Sequence, residues 1–357
     1  INIKTLKDEL IREGAIFSSD SDTEVILHLL AKTRANLPIV ESLINALSRI
    51  RGAYSLIFML KDRMFLVRDP HGLRPLVIGK LDEGYAAASE TCAFNLIGAE
   101  TLREVEPGEI VEIDNTGEIK SYFPFEKVTP SPCVFEYVYF SRPDSDVFGR
   151  NVYPIRKSMG VELAKEFPVL NADMVVPVPD SGVTAAIGYS QAAGIPLEYG
   201  LIRNHYVGRT FIEPKQSIRD FGVKIKLNAN SAVLKDKIVV VVDDSIVRGT
   251  TSKKIVKMLR DAGTKEIHLR ISAPPITDPC FYGVDTPDKE RLIGASKSIK
   301  EIADYIGVDS LAYLSVEGLY RAVGEDQTRM CDACFTGNYP VGTPDAHETK
   351  QEELFQI

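Results

Sequence analysis

The residues best suited to chemistry lie in one stretch of the chain, KIVVVVDDSIVRGTTS, residues 237–252. Five apolar residues, Ile238 to Val242, predict a buried strand. The strand runs into two adjacent acids, Asp243 and Asp244. A small hydroxyl-rich turn follows, with Ser245, Gly249, Thr250, Thr251 and Ser252. A helix is predicted next, with Ile255, Met258, Leu259 and Ala262 at helical spacing and Gly263 as its stop. Strand, acids, turn and helix N-terminus together suit a sugar phosphate. The turn's N–H groups and the helix dipole favour a phosphate. The carboxylates can accept hydrogen bonds from ribose hydroxyls or hold Mg²⁺. A doubly wound strand ending in a solvated acidic turn would read the same way.

This segment resembles the loop that binds phosphoribosyl pyrophosphate (PRPP) in type I phosphoribosyltransferases, where two acids precede a T-G-x-T-like turn. A second turn, VPDSG at residues 178–182, follows another predicted strand and precedes a helix. Taken alone, it is a plain βα turn with Ser181 as helix N-cap. With the acidic pair downstream on the same sheet, it becomes a second phosphate-holding turn. Both turns would lie at the carboxyl ends of parallel strands, where open α/β sheets bind ligands. In type I phosphoribosyltransferases the turn at this place holds the pyrophosphate.

The elements that must position these turns begin near residues 129–132, TPSP, read as a boundary. Beyond it strands and helices alternate: MVVPVP, VTAAIGYSQAAG, KIVVVVDD, TSKKIVKMLRDAG and EIHLRIS, an order that implies a parallel sheet. Before it the pattern differs. Residues 23–32 and 38–49 have helical spacing. Then AYSLIFML, RMFLVRD, LRPLVIG and GYAAAS read as an antiparallel meander. LREVEPGEIVEID reads as a further hairpin turning at Pro107 and Gly108.

Residues 204–216, NHYVGRTFIEPKQ, mix Gly, Arg, Tyr, Phe and Pro without periodicity, as a mobile lid or a surface excursion would. CVFEYVYFSRPDS, from residue 133, is rich in aromatics, and its alternation suits a core strand; a tunnel wall is the sharper alternative. Cys331 and Cys334 form one CxxC, and Cys133 and Cys280 each follow a proline. Four thiolates would complete a zinc or [4Fe–4S] site, with a redox pair and chance spacing also open.

The chain of 357 residues is long enough for two domains, and its apolar content of 44% is ordinary for globular proteins. A net charge of −8 without a basic stripe argues against nucleic acid. No apolar run approaches the roughly 18 residues of a membrane span, and no signal-peptide pattern opens the chain. An odd count of five cysteines argues for a reducing compartment. Residue 1 is Ile, and the first residues look like the inside of a folded element, so the true N-terminus is expected to lie upstream.

Six strings, SDTEVILHLL, RDPHGLRPL, FEYVYFSRPDS, YVGRTFI, VVDDSIVRGTTS and LSVEGL, together resemble the amidophosphoribosyltransferases, the glutamine PRPP amidotransferases of purine synthesis. The resemblance runs from about residue 6 to about residue 341. It implies an α+β remnant of an N-terminal-nucleophile glutaminase domain (1–128). An α/β type I phosphoribosyltransferase domain with a parallel sheet (129–322) and a tail carrying the CxxC (323–357) complete the implied arrangement. The implied reaction opens purine (IMP) synthesis: ammonia from glutamine displaces pyrophosphate at C1 of PRPP, giving 5-phosphoribosylamine and glutamate.

Carried over residue by residue, Asp243 and Asp244 match the ribose and Mg²⁺ acids, and Ser181 a third metal-associated position. Pro179 and Asp180 belong to the pyrophosphate turn. Val247, Arg248, Gly249, Thr250, Thr251 and Ser252 match the 5′-phosphate cradle, with Ser245 beside it. Tyr206, Arg209, Phe211 and Ile212 match a flexible loop that closes over PRPP. Phe211 and Ile212, with Phe135 and Tyr139, match an ammonia channel, whose apolar wall suits NH₃ and disfavours NH₄⁺. Cys133, Cys280, Cys331 and Cys334 match the ligands of a [4Fe–4S] cluster carried by some members; Cys92 is left as a small buried hydrophobe. The resemblance further implies a homotetramer and inhibition by purine nucleotides. It implies no nucleic-acid or membrane partner, and a cytoplasmic setting, or a plastid in a eukaryotic source.

The departure is at the front. The family's glutaminase nucleophile is an N-terminal cysteine with its α-amino group as base, whereas residue 1 here is Ile. Asp22, in SDSDTEV, matches the residue that binds the glutamine amino group. The polypeptide as given is therefore expected to use ammonia but not glutamine. Two other functions fit the PRPP loop alone: a purine or orotate salvage phosphoribosyltransferase, and a non-catalytic PRPP-sensing regulator. Neither needs the glutaminase-like front or the channel aromatics.

Overall fold

The structure, a computed structural model, describes residues 1–19, 21–33, 36–204 and 227–343. Near the start, helices Ile3–Arg12, Asp22–Ala31 and Ile39–Leu47 turn Leu6, Leu10, Val25, Ile26, Leu29, Leu43 and Leu47 inward. These side chains pack on Phe65, Val67 and Ile110 of a sheet. That sheet has the order β1-β2-β6-β7 and is antiparallel throughout. Its strands are β1 (Ser55–Met59), β2 (Arg63–Arg68), β6 (Ile110–Asp114) and β7 (Ile119–Tyr122).

The expected single meander is corrected. Strands β3 (Val77–Leu81), β4 (Gly84–Ala88) and β5 (Glu100–Glu104) form a separate sheet of order β4-β3-β5. Leu66, Val111 and Ile113 of the first sheet meet Leu76, Ile78 and Val105 in one apolar layer. Each short strand has one face to bury, and two sheets facing each other bury both. The expected hairpin at Pro107 and Gly108 is corrected too. β5 and β6 belong to different sheets, so this turn is a crossing between layers. Gly108 takes φ +75 there, and the Glu109 carboxylate accepts from the Glu106 N–H at 2.7 Å and pairs with Arg103 at 2.7 Å.

The later part holds the expected parallel sheet, of order β10-β13-β14-β15: Met174–Pro177, Ile238–Asp243, Glu266–Ile271 and Ser310–Tyr313. Successive side chains on a strand point to opposite faces. Val240 and Val242 enter one core with helices Val152–Glu166 and Val183–Ala193. Val239 and Val241 enter another with Ile255, Val256 and Leu259 of helix Thr250–Asp261. Burial on both faces explains the unbroken apolar run of β13. The two helices on the first face cross with glycine at the contact. A Cβ on Gly160 would lie 1.8 Å from the Ala185 carbonyl oxygen, and one on Gly188 would lie 1.9 Å from that of Lys157.

The aromatic run is not a strand. Glu136–Phe140 forms a π-helical turn. Aromatics two apart imitate strand alternation, but here they wind round one wide turn. The side chain of Arg156 supplies donors to its carbonyls, through Nε to Tyr137 at 2.9 Å and Nη2 to Ser141 at 3.0 Å. No helix of the described residues is long and apolar enough to cross a membrane.

Candidate active site

Strand β13 ends on Asp243, the central position of the sheet's carboxyl edge. Asp243 and Asp244 are both buried. The Asp244 N–H donates to Asp243 Oδ1 at 2.9 Å, and Ser245 Oγ donates to Asp244 Oδ2 at 2.5 Å. The chain then loops through buried Ile246, and the Val247 carbonyl accepts from the Ile293 N–H at 3.0 Å. Gly249 takes φ +71, a left-handed conformation natural to glycine, and opens helix Thr250–Asp261. No side chain caps this helix, so its first N–H groups face the turn. Arg248, Thr250 and Thr251 are exposed and Ser252 is buried.

The second turn comes to the first. Val178 donates its N–H to the Val242 carbonyl at 2.9 Å. Gly182 lies so close that a Cβ there would sit 2.4 Å from the Val242 carbonyl oxygen. Ser181 is not the N-cap: helix Val183–Ala193 starts from Gly182, without a side-chain cap. Ser181 stands instead beside the Asp243 carboxylate, near enough to favour its charged form. Burial, then the charge of Asp244, pushes the Asp243 carboxyl well above the usual carboxylate range. The peptide between Pro179 and Asp180 is cis, and exposed Asp180 pairs with Arg203.

Ser181, Asp243 and Asp244 are therefore brought together. Pro179 and Asp180 stand on the same turn. Asp22 does not join them: it is exposed and begins helix Asp22–Ala31 of the N-terminal layer. Tyr206, Arg209, Phe211 and Ile212 fall outside the described residues. Of the channel aromatics, Phe135 is buried and touches Tyr139, Phe140 and Phe335, with ring centroids 6.5, 5.1 and 5.9 Å away. Tyr139 is exposed.

The four matched cysteines converge from three segments. Cys133 and Cys331 lie side by side, with the Val134 N–H donating to the Cys331 carbonyl at 3.0 Å and the Cys331 N–H to that of Pro132 at 2.9 Å. Cys280 Sγ accepts the Tyr282 N–H at 3.3 Å. Cys334 feels the charges of Cys133, Cys280 and Cys331, and Cys133 and Cys331 feel Cys280. All four are free thiols. Burial pushes Cys133 and Cys334 up and Cys331 up to about 12. Among the described residues, no group of three or more His, Cys, Asp or Glu is arranged to hold a metal ion. Cys92 is buried, with its thiol 3.8 Å from Glu90 Oε2.

Sequence reasoning missed three residues here. Arg156 is a buried cation whose guanidinium reaches the carbonyls of the π-turn, and a helical arginine ordinarily signals a solvated face. Arg74 and Glu136 pair across the two parts of the chain, which no spacing could foretell. Arg74 did stand inside one of the quoted strings.

Residues 1–95 match a glutamine amidotransferase domain, and residues 166–285 a phosphoribosyl transferase domain. The chain is 54% identical over 342 residues to amidophosphoribosyltransferase 1, chloroplastic, of Arabidopsis thaliana, covering 96% of this chain and 60% of that one. It is 53% identical over 348 residues to the Rhizobium etli amidophosphoribosyltransferase, covering 94% and 70%. With that of Bacillus subtilis it shares 50% over 345 residues, covering 96% and 72%. A solved glutamine PRPP amidotransferase from B. subtilis, complexed with ADP and GMP, superposes with a TM-score of 0.88 at 49% identity, covering 97% of this chain and 77% of that one. The chain thus spans about 60% of the length of three chloroplastic relatives, two from Arabidopsis thaliana and one from Glycine max. With two bacterial relatives above half identity or at it, each covered over two thirds of its length, the chain belongs to the amidophosphoribosyltransferase family.

Proposed function

We propose that this chain carries the transferase chemistry of an amidophosphoribosyltransferase, the first committed step of purine synthesis. Ammonia attacks C1 of PRPP and the C1–O bond to pyrophosphate breaks. The bonding electrons leave with the pyrophosphate, and the nitrogen loses a proton to give 5-phosphoribosylamine. In the whole protein, glutamine would supply the ammonia and become glutamate. The observation that carries this reading is the seating of the turn 178–182 against Val242 and Asp243, which brings that turn to the acidic pair at the start of an uncapped helix.

The roles follow from chemistry. Asp243 and Asp244 accept the ribose hydroxyls. Ser245, Val247, Arg248, Gly249, Thr250, Thr251 and Ser252 cradle the 5′-phosphate with N–H and hydroxyl donors. Pro179, Asp180 and Ser181 face the pyrophosphate. Tyr206 and Arg209 are proposed for the closing loop, with Phe211 and Ile212 joining Phe135 and Tyr139 along the ammonia path, and Asp22 for the glutamine amino group. The positive charge that grows on the ribose as the bond breaks is met by positioning and by these carboxylates.

Mg²⁺ fits the acidic pair. Burial, and then the neighbouring charge of Asp244, raises Asp243, and a cation would relieve both costs. Mg²⁺ commonly takes one or two carboxylates and completes its shell with water and substrate phosphate. When bound, it would neutralise the departing pyrophosphate. The four cysteines suit a [4Fe–4S] cluster by their chemistry: all are free thiols, with Cys133 and Cys331 side by side and Cys334 in the same short segment as Cys331. A cubane needs thiolates and spreads its ligands more widely than one ion does. It would tie the chain around residue 331 to Cys133 and Cys280.

We propose the divisions 1–128, 129–322 and 323–357, supported by the switch from antiparallel to parallel sheets. A homotetramer, inhibition by purine nucleotides and a bacterial cytoplasmic or plastid setting belong to the same proposal. The nucleotides are supported by the ADP and GMP of the B. subtilis structure, and the settings by the chloroplastic and bacterial relatives.

The test supplies PRPP and Mg²⁺ with ammonium at high pH, where NH₃ is abundant. Phosphoribosylamine and pyrophosphate should form in equal amounts. Tight PRPP binding without either product would instead favour the non-catalytic sensor.

A further inference from the structure

We infer that Arg156 is a positioning residue that fastens the aromatic turn Glu136–Phe140 to the acidic pair, so that turn and pair hold one geometry. Its functional consequence rests on reading that pair as the PRPP site. Arg156 is 3% exposed. Its guanidinium reaches the carbonyls of Tyr137, Ser141 and Glu136 at 2.9, 3.0 and 3.5 Å. A π-turn leaves carbonyls out of the usual helical ladder, and a planar fork of donors suits several of them at once.

Those acceptors are neutral, so the buried charge needs an anion to offset it. Burial works against the Arg156 charge most, and of the carboxylates that favour it Asp244 comes first, ahead of Glu90 and Glu136. A mechanical path runs in parallel. Arg156 lies one helical turn before Gly160, where helix Val152–Glu166 is seated without clearance on helix Val183–Ala193. The second helix starts at Gly182, itself pressed on the Val242 carbonyl and the Asp243 Cα. The turn cannot shift without moving Arg156 and the helix that carries it. That helix is packed against the one that starts at Gly182, beside the acidic pair.

Two substitutions separate the charge from the fork. R156Q keeps donors but loses the charge, and R156K keeps the charge but loses the planar fork. Urea midpoints are measured for D244N, R156Q and the double variant, and for the matching set with R156K. D244N and R156Q should be clearly non-additive, with the coupling retained in R156K. Additive shifts in both sets would overturn the inference. Hydrogen exchange should quicken at amides 136–142 in both Arg156 variants, and unchanged exchange there would overturn it as well.

With ammonium as nitrogen donor, both variants should raise KM for PRPP about tenfold, equivalent to about 1.4 kcal/mol. A merely structural role would lower kcat through the folded fraction and leave KM alone, which would also count against the inference. A wild-type chain without PRPP turnover would defeat the proposed function, while the cycle and the exchange data would still decide the fastening.

Discussion

Arg74 Nη2 lies 3.0 Å from Glu136 Oε1, in an ion pair that joins the segment after β2 to the aromatic turn, with the Glu136 side chain 3% exposed. Arg74 also stacks over the Phe140 ring, 4.7 Å from its centroid. Arg74 Nη1 and Glu136 Oε1 nevertheless lack a hydrogen-bond partner, so the contact is close without good angles. Removing one partner of such a pair strands the other charge. R74M should therefore cost about 3 kcal/mol, whereas R74M/E136L should recover most of it. Urea unfolding of the three proteins checks this, and a double variant as weak as R74M alone would contradict it.

Gly182 should matter to the site more than to the fold. A Cβ there would sit 2.4 Å from the Val242 carbonyl oxygen and 3.2 Å from the Asp243 Cα. The short turn can retreat where a sheet strand cannot, so G182A should move Ser181 away from Asp243. The expected result is a loss of PRPP binding of about a hundredfold, corresponding to two or more polar contacts at about 1.4 kcal/mol each, with circular dichroism unchanged. Calorimetric titration of PRPP with Mg²⁺ reads this out; wild-type affinity in G182A would show that the close approach does not position the pair.

Much of the site was legible because its physics is local. Ile238 to Val242 announce a strand buried on both faces, and the small, hydroxyl-rich residues after the two acids announce a turn before the helix. Counting put the four cysteines together as ligands for zinc or a cluster, and the family resemblance alone chose the cluster, since their separation in sequence says nothing of their meeting. Glu136–Phe140 misled because Phe135, Tyr137 and Tyr139 alternate as a strand would. What decides their geometry is Arg156, a residue outside the segment. Pro107 and Gly108 correctly marked a turn, but a turn does not state which sheet the next strand will join. Val105 and Ile110, each buried in a different core, decided that.

Stability should fall as pH rises through the range set by Asp69. This carboxyl is fully buried, and burial raises it from 3.8 to about 6, against the pull of N–H donors from Leu73, Tyr54 and His71 and the Arg68 charge. Between those two values the folded chain keeps a proton that the unfolded chain has released. Folding is then favoured by acid, and raising the pH through this window should cost up to about 3 kcal/mol. D69N carries no such proton, so its urea midpoint should lose this component between pH 4 and pH 6. Parallel pH profiles for wild type and D69N would show that the carboxyl titrates normally.

The thiol cluster yields a prediction that does not depend on catalysis. Cys133, Cys280, Cys331 and Cys334 are free, and burial favours the protonated thiol at Cys133, Cys331 and Cys334. Protein made with iron and sulfide available should contain both in equal amounts, and C331S should retain little of either. Because ligation releases protons and stabilises only the folded chain, loading should raise the unfolding temperature, and chelation under air should reverse it. Cys92 lies outside the group, so C92S should keep its full iron content. Zinc in place of iron, or wild-type iron in C331S, would instead remove the cubane from the proposed function.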